Sequence, residues 1–219
     1  MSPEMLNLLM KSFWETCYMV FSSTALSTLI GLPLGIILCV TRKDHILPNP
    51  TLNAVLGAIV NATRSTPFII LMVALIPFTR AVVGTAIGST AAIVPLTIAA
   101  APFVARMVES SLTELGPGVI EAAKTMGATN TQIAWKVLLP ESVPSLIRGF
   151  SITTITLIGY SAMAGAFGSG GLGDIAIRYG FHRFEPKVML VTVILIIVIV
   201  QLIQMGFNFA ANKIDKRNR

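Results

Sequence analysis

Charge is scarce in this chain. Only 12% of its 219 residues are Asp, Glu, Lys or Arg, while 54% are apolar; a soluble domain carries about a quarter charged residues. An ordinary water-solvated domain is excluded. Cysteine is nearly absent. Cys17 and Cys39 both fall in the first apolar stretch without C-x-x-C spacing, so they are read as small apolar residues that say nothing of redox compartment. No G-x-x-x-x-G-K-[ST] occurs, so the chain cannot cradle ATP phosphates by that device. No nucleophile–base pair or metal-ligand cluster emerges either. The expectation is no catalytic site, no metal site and no enzyme activity of its own.

What is present is a series of long apolar runs. Five transmembrane helices are expected over about 13–40, 54–76, 86–105, 147–166 and 188–209, forming one domain over 1–219. The fold class is therefore all-α, a polytopic bundle of membrane helices. The first run is too long for a signal-peptide core and no A-x-A site follows it, so it is expected to be a retained span. Within it Gly31 and Gly35 form G-x-x-x-G, which admits a close neighbour helix, and Pro33 between them can bend the helix instead. Arg64 lies near the charged end of the second span. It either snorkels to the same interface as Arg42 and Lys43 or takes part in a gate or partner contact. The third span is rich in small residues, with Pro95 and Pro102 inside, and belongs in the bundle interior.

The fourth span is the most polar, with Ser151, Thr153, Thr154, Thr156, Gly159, Tyr160 and Ser161. Its hydroxyls either line a water-filled path or bond back to their own helix carbonyls. Concentration in one span favours the path. After it, Gly168, Gly170 and Gly173 satisfy G-x-G-x-x-G, but a membrane helix precedes them where a dinucleotide site needs a strand. A flexible extramembrane loop is the better reading, with His182 solvated. The fifth span is apolar on all faces until Gln201 and Gln204, as for a helix largely facing lipid.

The net charge of +6 is spread between the apolar runs, which fits topology rather than nucleic acid. Arg42, Lys43, Arg106, Lys124, Lys136, Arg148, Lys213, Lys216, Arg217 and Arg219 fall on one side, with Arg64 at its boundary. Lys11, Arg80, Arg178, Arg183 and Lys187 fall on the other. The richer side is cytoplasmic by the positive-inside rule, which puts the N-terminus outside and the C-terminus inside.

Between the third and fourth spans, on that cytoplasmic side, lies the most informative stretch, Gly116 to Pro144. Pro117 suits a first helical position, Gly127 a left-handed helix end, and Thr129 with Gln132 a capping box. The second helix is expected to stop near Pro140, because Pro144 follows. Two short helices joined at a glycine form a knuckle shaped for docking.

Glu121-Ala122-Ala123, then Gly127 six residues after the glutamate, then Leu139-Pro140 resemble the E-A-A loop of permease subunits in binding-protein-dependent ABC importers. The likeness continues through Arg64-Ser65-Thr66-Pro67-Phe68-Ile69-Ile70, Ala92 to Thr97, Ala101-Pro102-Phe103, Gly159-Tyr160-Ser161-Ala162-Met163 and Gly170-Gly171-Leu172-Gly173. These look like the methionine permeases of bacterial methionine importers. That resemblance implies a type I ABC importer transmembrane domain in the bacterial cytoplasmic (inner) membrane. It also implies a homodimer of this chain, two cytoplasmic ABC ATPase subunits that hold ATP and Mg, an external substrate-binding protein, and no cofactor bound here.

By the same resemblance, Glu121, Ala122, Ala123, Met126, Gly127, Leu139 and Pro140 would couple to the ATPase. Residues 118–126 would be the coupling helix. Tyr160, Ser161 and Met163 would lie near the substrate route or gate, with plain packing as the other reading of Met163. Methionine, in L- and D-form, is the expected substrate. An importer for another small amino acid and an ATPase-independent secondary transporter are the alternatives. Proton relays need intramembrane acids, and none lies deep in spans two to five; Glu15 sits near the outer end of the first.

Overall fold

Residues 3–214 are described in a computed structural model, and all their regular structure is helical. Lys216, Arg217 and Arg219, counted above among the charges, lie outside these residues. Helix α1 covers Pro3–Val40 and α5 covers Ser89–Thr113; they share the longest contact in the molecule. The G-x-x-x-G of α1 makes that contact. A Cβ on Gly31 would lie 2.6 Å from the Ala101 carbonyl oxygen, and one on Gly35 2.5 Å from that of Ala105. Backbone meets backbone here, and only glycine permits it. Pro33 sits inside α1 without ending it.

The second expected span is not one helix. Helix α2, Pro50–Arg64, and α3, Phe68–Ala74, meet at 101°, and α4, Ile76–Val83, follows at once. Pro67 lacks an N–H and pushes Thr66 out of the helical region, so α2 must stop before it. The hydroxyls of Thr63, Ser65 and Thr66 donate to the carbonyls of Ile59, Asn61 and Ala62, which satisfies the exposed helix end. Among the described residues four helices are long and apolar enough to cross a membrane, and five if this bent pair counts as one span. Arg64 ends α2, 6.0 Å from the Phe103 ring.

The other spans are longer than their apolar cores. The first begins at Pro3 rather than near 13, the third runs to Thr113, and the fifth is α10, Pro186–Ile214. Hydropathy marks the lipid-immersed part, while the helical hydrogen-bond ladder continues into polar turns beyond it.

The expected stop near Pro140 does not occur. Short α7, Asn130–Gln132, runs through a π turn over Ile133–Leu138 into α8, Leu139–Gly165. In the wider turn the Leu139 N–H bonds to Ala134, five residues back. This loosens the ladder just where Pro140 enters, and α8 starts afresh with that proline in its first turn.

The glycine-rich loop also departs from expectation, because it is packed rather than flexible. It forms α9, Gly171–Ile175, and a second π turn over Ala176–Phe181. Leu172 and Ile175 are fully buried. Three apolar clusters result among the described residues. One, at the end that carries the glycine-rich segment, joins Met19, Leu96, Leu157, Leu172 and Ile175; a second joins Cys39, Val108, Leu112, Ile133 and Leu138 beneath the knuckle; a small third joins Leu38, Val60 and Ala105.

Candidate functional site: the knuckle and the fourth span

The knuckle is built from local signals. Pro117 opens α6, Pro117–Thr125, at its first position. Gly127 adopts φ +80°; its N–H donates to the Lys124 carbonyl at 2.9 Å, and the Ala128 N–H to the Ala123 carbonyl at 3.1 Å. These two bonds are a Schellman turn, and they satisfy carbonyls that the helix end leaves free. Thr129 then caps α7, accepting from the Gln132 N–H at 3.3 Å while the Gln132 amide oxygen accepts from the Thr129 N–H at 2.9 Å. Removing this cap with Thr129→Ala is expected to cost about 1 kcal/mol locally. Faster hydrogen exchange confined to residues 130–134 is the expected reading, and unchanged exchange there would contradict it.

One side of the knuckle is buried and the other bare. Ala123, Ile133, Ala134 and Leu138 pack on the ends of α1 and α5. On the free side Met126 is 87% exposed, Trp135 54% and Val119 38%. Ala122, Gly127 and Pro140 are exposed as well, and Leu139 is half-buried. Glu121 is exposed and takes part in no hydrogen bond or ion pair among the described residues. Its carboxylate is therefore free for a contact outside the chain and does not anchor the loop. Exposed apolar side chains and an exposed acid share the knuckle's free side. Trp135 is one of them, and no motif in the sequence singled it out.

Polar groups brace the knuckle's base. Arg106 pairs with Glu109 at 2.6 Å and donates to the Gly57 carbonyl at 3.1 Å, tying α5 to α2. Ser142 donates to the Ser111 carbonyl at 3.2 Å, and the Ser111 and Ser145 hydroxyls lie 3.0 Å apart. His45, in the turn after α1, places Nε2 3.5 Å from the Cys39 sulfur. Burial, with Arg42 and Lys124 adding repulsion, pushes its imidazole below the ordinary value, so it stands neutral near pH 7. The bonds from Arg106 to Gly57 and among Ser111, Ser142 and Ser145 are not readable from sequence, because their members lie on separate helices; Arg106 and Glu109 stand at helical spacing within α5.

The fourth-span hydroxyls are engaged within their own helix. Thr153, Thr154 and Thr156 donate to the carbonyls four residues back, and Ser161 to that of Ile158 at 2.8 Å. Back-bonding is therefore the reading that holds for these side chains. Of the three expected route residues, Ser161 is buried, Tyr160 stacks on Phe68 at 4.6 Å, and Met163 is 46% exposed. The Tyr160–Phe68 stack joins α8 to α3 just past the 101° bend.

Knuckle and glycine-rich hairpin lie at opposite ends of the molecule. Glu15 of α1 contacts the hairpin and Cys39 lies in the knuckle cluster. The 24 residues between them rise about 36 Å, more than a hydrocarbon core.

Residues 31–219 match the binding-protein-dependent transport system inner membrane components. The chain belongs to that family. It is 54% identical over 211 residues to the probable D-methionine transport system permease protein MetI of Vibrio cholerae serotype O1, with 96% of this chain and 94% of the relative covered. It is 56% identical over 165 residues to the D-methionine transport system permease protein MetI of Escherichia coli K12, covering 75% and 76%. Among solved structures, a chain of the inward-facing MetNI methionine ABC transporter superposes with a TM-score of 0.97 at 50% identity, over 99% of this chain and 100% of that one. The fold is thus that of a type I ABC importer transmembrane domain, and this family member is an inner-membrane component of a transporter.

Proposed function

We propose that this chain is the permease subunit of an ATP-driven importer that carries methionine, as L- and D-isomer, into the cytoplasm. Two copies pair around the route, two ABC ATPase subunits dock on the knuckles from the cytoplasm, and an external binding protein delivers the substrate. ATP and Mg sit on the ATPases; the chain itself hydrolyses nothing and holds no cofactor. The observation that carries this reading is the match, at half or more identity and nearly full length, to a probable D-methionine transport system permease and to a chain of a methionine ABC transporter.

The geometry fits the mechanism. A ligand shifts a two-state bundle only by binding its states unequally. ATP closure of the docked subunits does so by moving the knuckles, which are packed on the inner ends of α1, α5 and α8. Glu121, Ala122, Ala123, Met126 and Gly127 carry the contact, while Leu139 and Pro140 lead the motion into α8. Tyr160, Ser161 and Met163 lie along the route or its gate. The excess of Lys and Arg on the knuckle side supports a cytoplasmic knuckle with the N-terminus outside.

The test is to express the tagged chain with its candidate ATPase, purify it, and measure radiolabelled methionine uptake in vesicles with the binding protein added. The expected result is co-purification and ATP-dependent uptake of methionine. A chain that moves methionine with no ATPase bound would instead be a secondary transporter, and ATP-driven uptake of another amino acid only would overturn the substrate.

A further inference from the structure

The sequence sets two features apart from the knuckle: the glycine-rich segment after the fourth span, and Glu15, an acid near the outer end of the first. The structure joins them across 156 residues. The Glu15 carboxylate accepts the Gly171 N–H at 2.9 Å, and the Thr16 hydroxyl accepts the Leu172 N–H at 2.9 Å. These N–H groups open α9 and have no acceptor within their own helix. Gly171 and Leu172 are buried, so leaving them unpaired is costly. Lys11, 3.8 Å from Glu15 and exposed, adds little.

The approach depends on bare backbone. Gly170 and Gly171 adopt φ +76° and +79°. A Cβ on Gly170 would lie 2.6 Å from the Glu15 carboxylate, and one on Gly171 2.8 Å from the Thr16 hydroxyl. Two further attachments complete a strap. The Gly88 N–H at the start of α5 donates to the Gly168 carbonyl at 3.0 Å. Gly173 rides on α8 so closely that a Cβ would fall 2.3 Å from the Ala162 carbonyl oxygen. The strap therefore clamps the outer ends of α1, α5 and α8, and its contact on α8 falls between Ser161 and Met163.

We propose that Glu15 is a positioning residue for transport: through the strap it fixes the outer end of the fourth span at Tyr160–Met163. The inference rests on reading that segment as the route. With the strap seated, the three outer ends move as one block, so a tilt imposed at the knuckle reaches Met163 instead of being lost to a local shift of α8. With the strap loose, hydrolysis continues while the outer end no longer follows it.

Ser169, buried within the strap, reports on its seating. In a Cys17→Ala, Cys39→Ala background, Ser169→Cys is labelled in membranes with an impermeant maleimide. Glu15→Ala is expected to raise the labelling rate about tenfold, the shift that losing one charge-assisted hydrogen bond produces. Thr16→Val should raise it less, and Glu15→Gln, which keeps an acceptor oxygen, should stay nearest the parent. In the complex with ATPase and binding protein, methionine accumulated per ATP hydrolysed is expected to fall for Glu15→Ala and recover in Glu15→Gln. A role confined to folding would lower the amount of complex and leave that ratio alone.

Labelling within about twofold of the parent in both Glu15→Ala and Thr16→Val would overturn the proposal. So would increased labelling at an unchanged transport ratio. If Glu15→Ala does not reach the membrane, Glu15→Gln and Thr16→Val decide by the same criteria. A parent complex that imports no methionine defeats the functional reading instead, and the labelling then decides whether Glu15 seats the strap.

Discussion

Gly35→Leu is expected to strip the chain from the membrane fraction, or to leave it there unable to assemble. A side chain at this position begins 2.5 Å from the Ala105 carbonyl oxygen and 2.6 Å from the Val108 Cβ. The first neighbour is backbone and cannot swing aside, so α1 and α5 must part along their shared seam. Forcing methylenes into a packed core costs about 1–3 kcal/mol where side chains can adjust, and here the loss exceeds that range because small-residue contact along the seam holds the helices together. Gly206→Leu is the matched control. Gly206 lies on an exposed face of α10, and an added Cβ there meets nothing within 4 Å. Membrane-fraction yield and detergent melting of the two variants check this; Gly35→Leu behaving like Gly206→Leu would contradict the packing described.

The second large effect concerns docking. Met126→Asp is expected to leave the chain inserted and folded while weakening ATPase retention about tenfold or more and abolishing ATP-driven uptake. Met126 is the most exposed apolar side chain of the knuckle and makes no demand on the fold. A buried anchor at the centre of an interface typically carries about 2 kcal/mol or more of binding, and a carboxylate put in its place must be desolvated as well. Glu121→Ala should act in the same direction by removing the unpaired charge. Gly127→Val acts through the backbone. Its Cβ would meet open space, but φ +80° costs a β-branched residue about 1–2 kcal/mol and unseats the turn. Retention measured on immobilised chain, with melting temperature as a control, separates the two causes. Normal retention in all three variants would remove the knuckle from the interface.

The parts of the molecule that were legible in its sequence are those whose causes are local. Pro117, Gly127 and the Thr129–Gln132 box each act within four residues, and each stands where its chemistry places it. Four of the five expected spans were legible for the same reason, since apolar runs of membrane length have few other uses; the second is a bent pair. Pro67 was in plain view, but hydropathy averaged across the bend hid its consequence. Continuity through Pro140 was not legible, because it depends on a π turn that no residue pattern marks. The strap was least legible. A glycine run reads as flexible until Glu15, Thr16 and Ala162 arrive from other helices to pack on it. The fourth-span hydroxyls left two readings open, a path or back-bonding, and only the structure shows that Thr153, Thr154, Thr156 and Ser161 are engaged with their own helix's carbonyls.

The inward-facing knuckle as the entry point for ATP-driven motion is tested most directly by one thiol. Met126→Cys, in the Cys17→Ala, Cys39→Ala background, is labelled with an impermeant maleimide in vesicles of either orientation, with and without the partner ATPase. Labelling only from the cytoplasmic face, and strong protection once the ATPase is bound, is the predicted result. Labelling from the outer face, or labelling that the bound ATPase leaves unchanged, would contradict it.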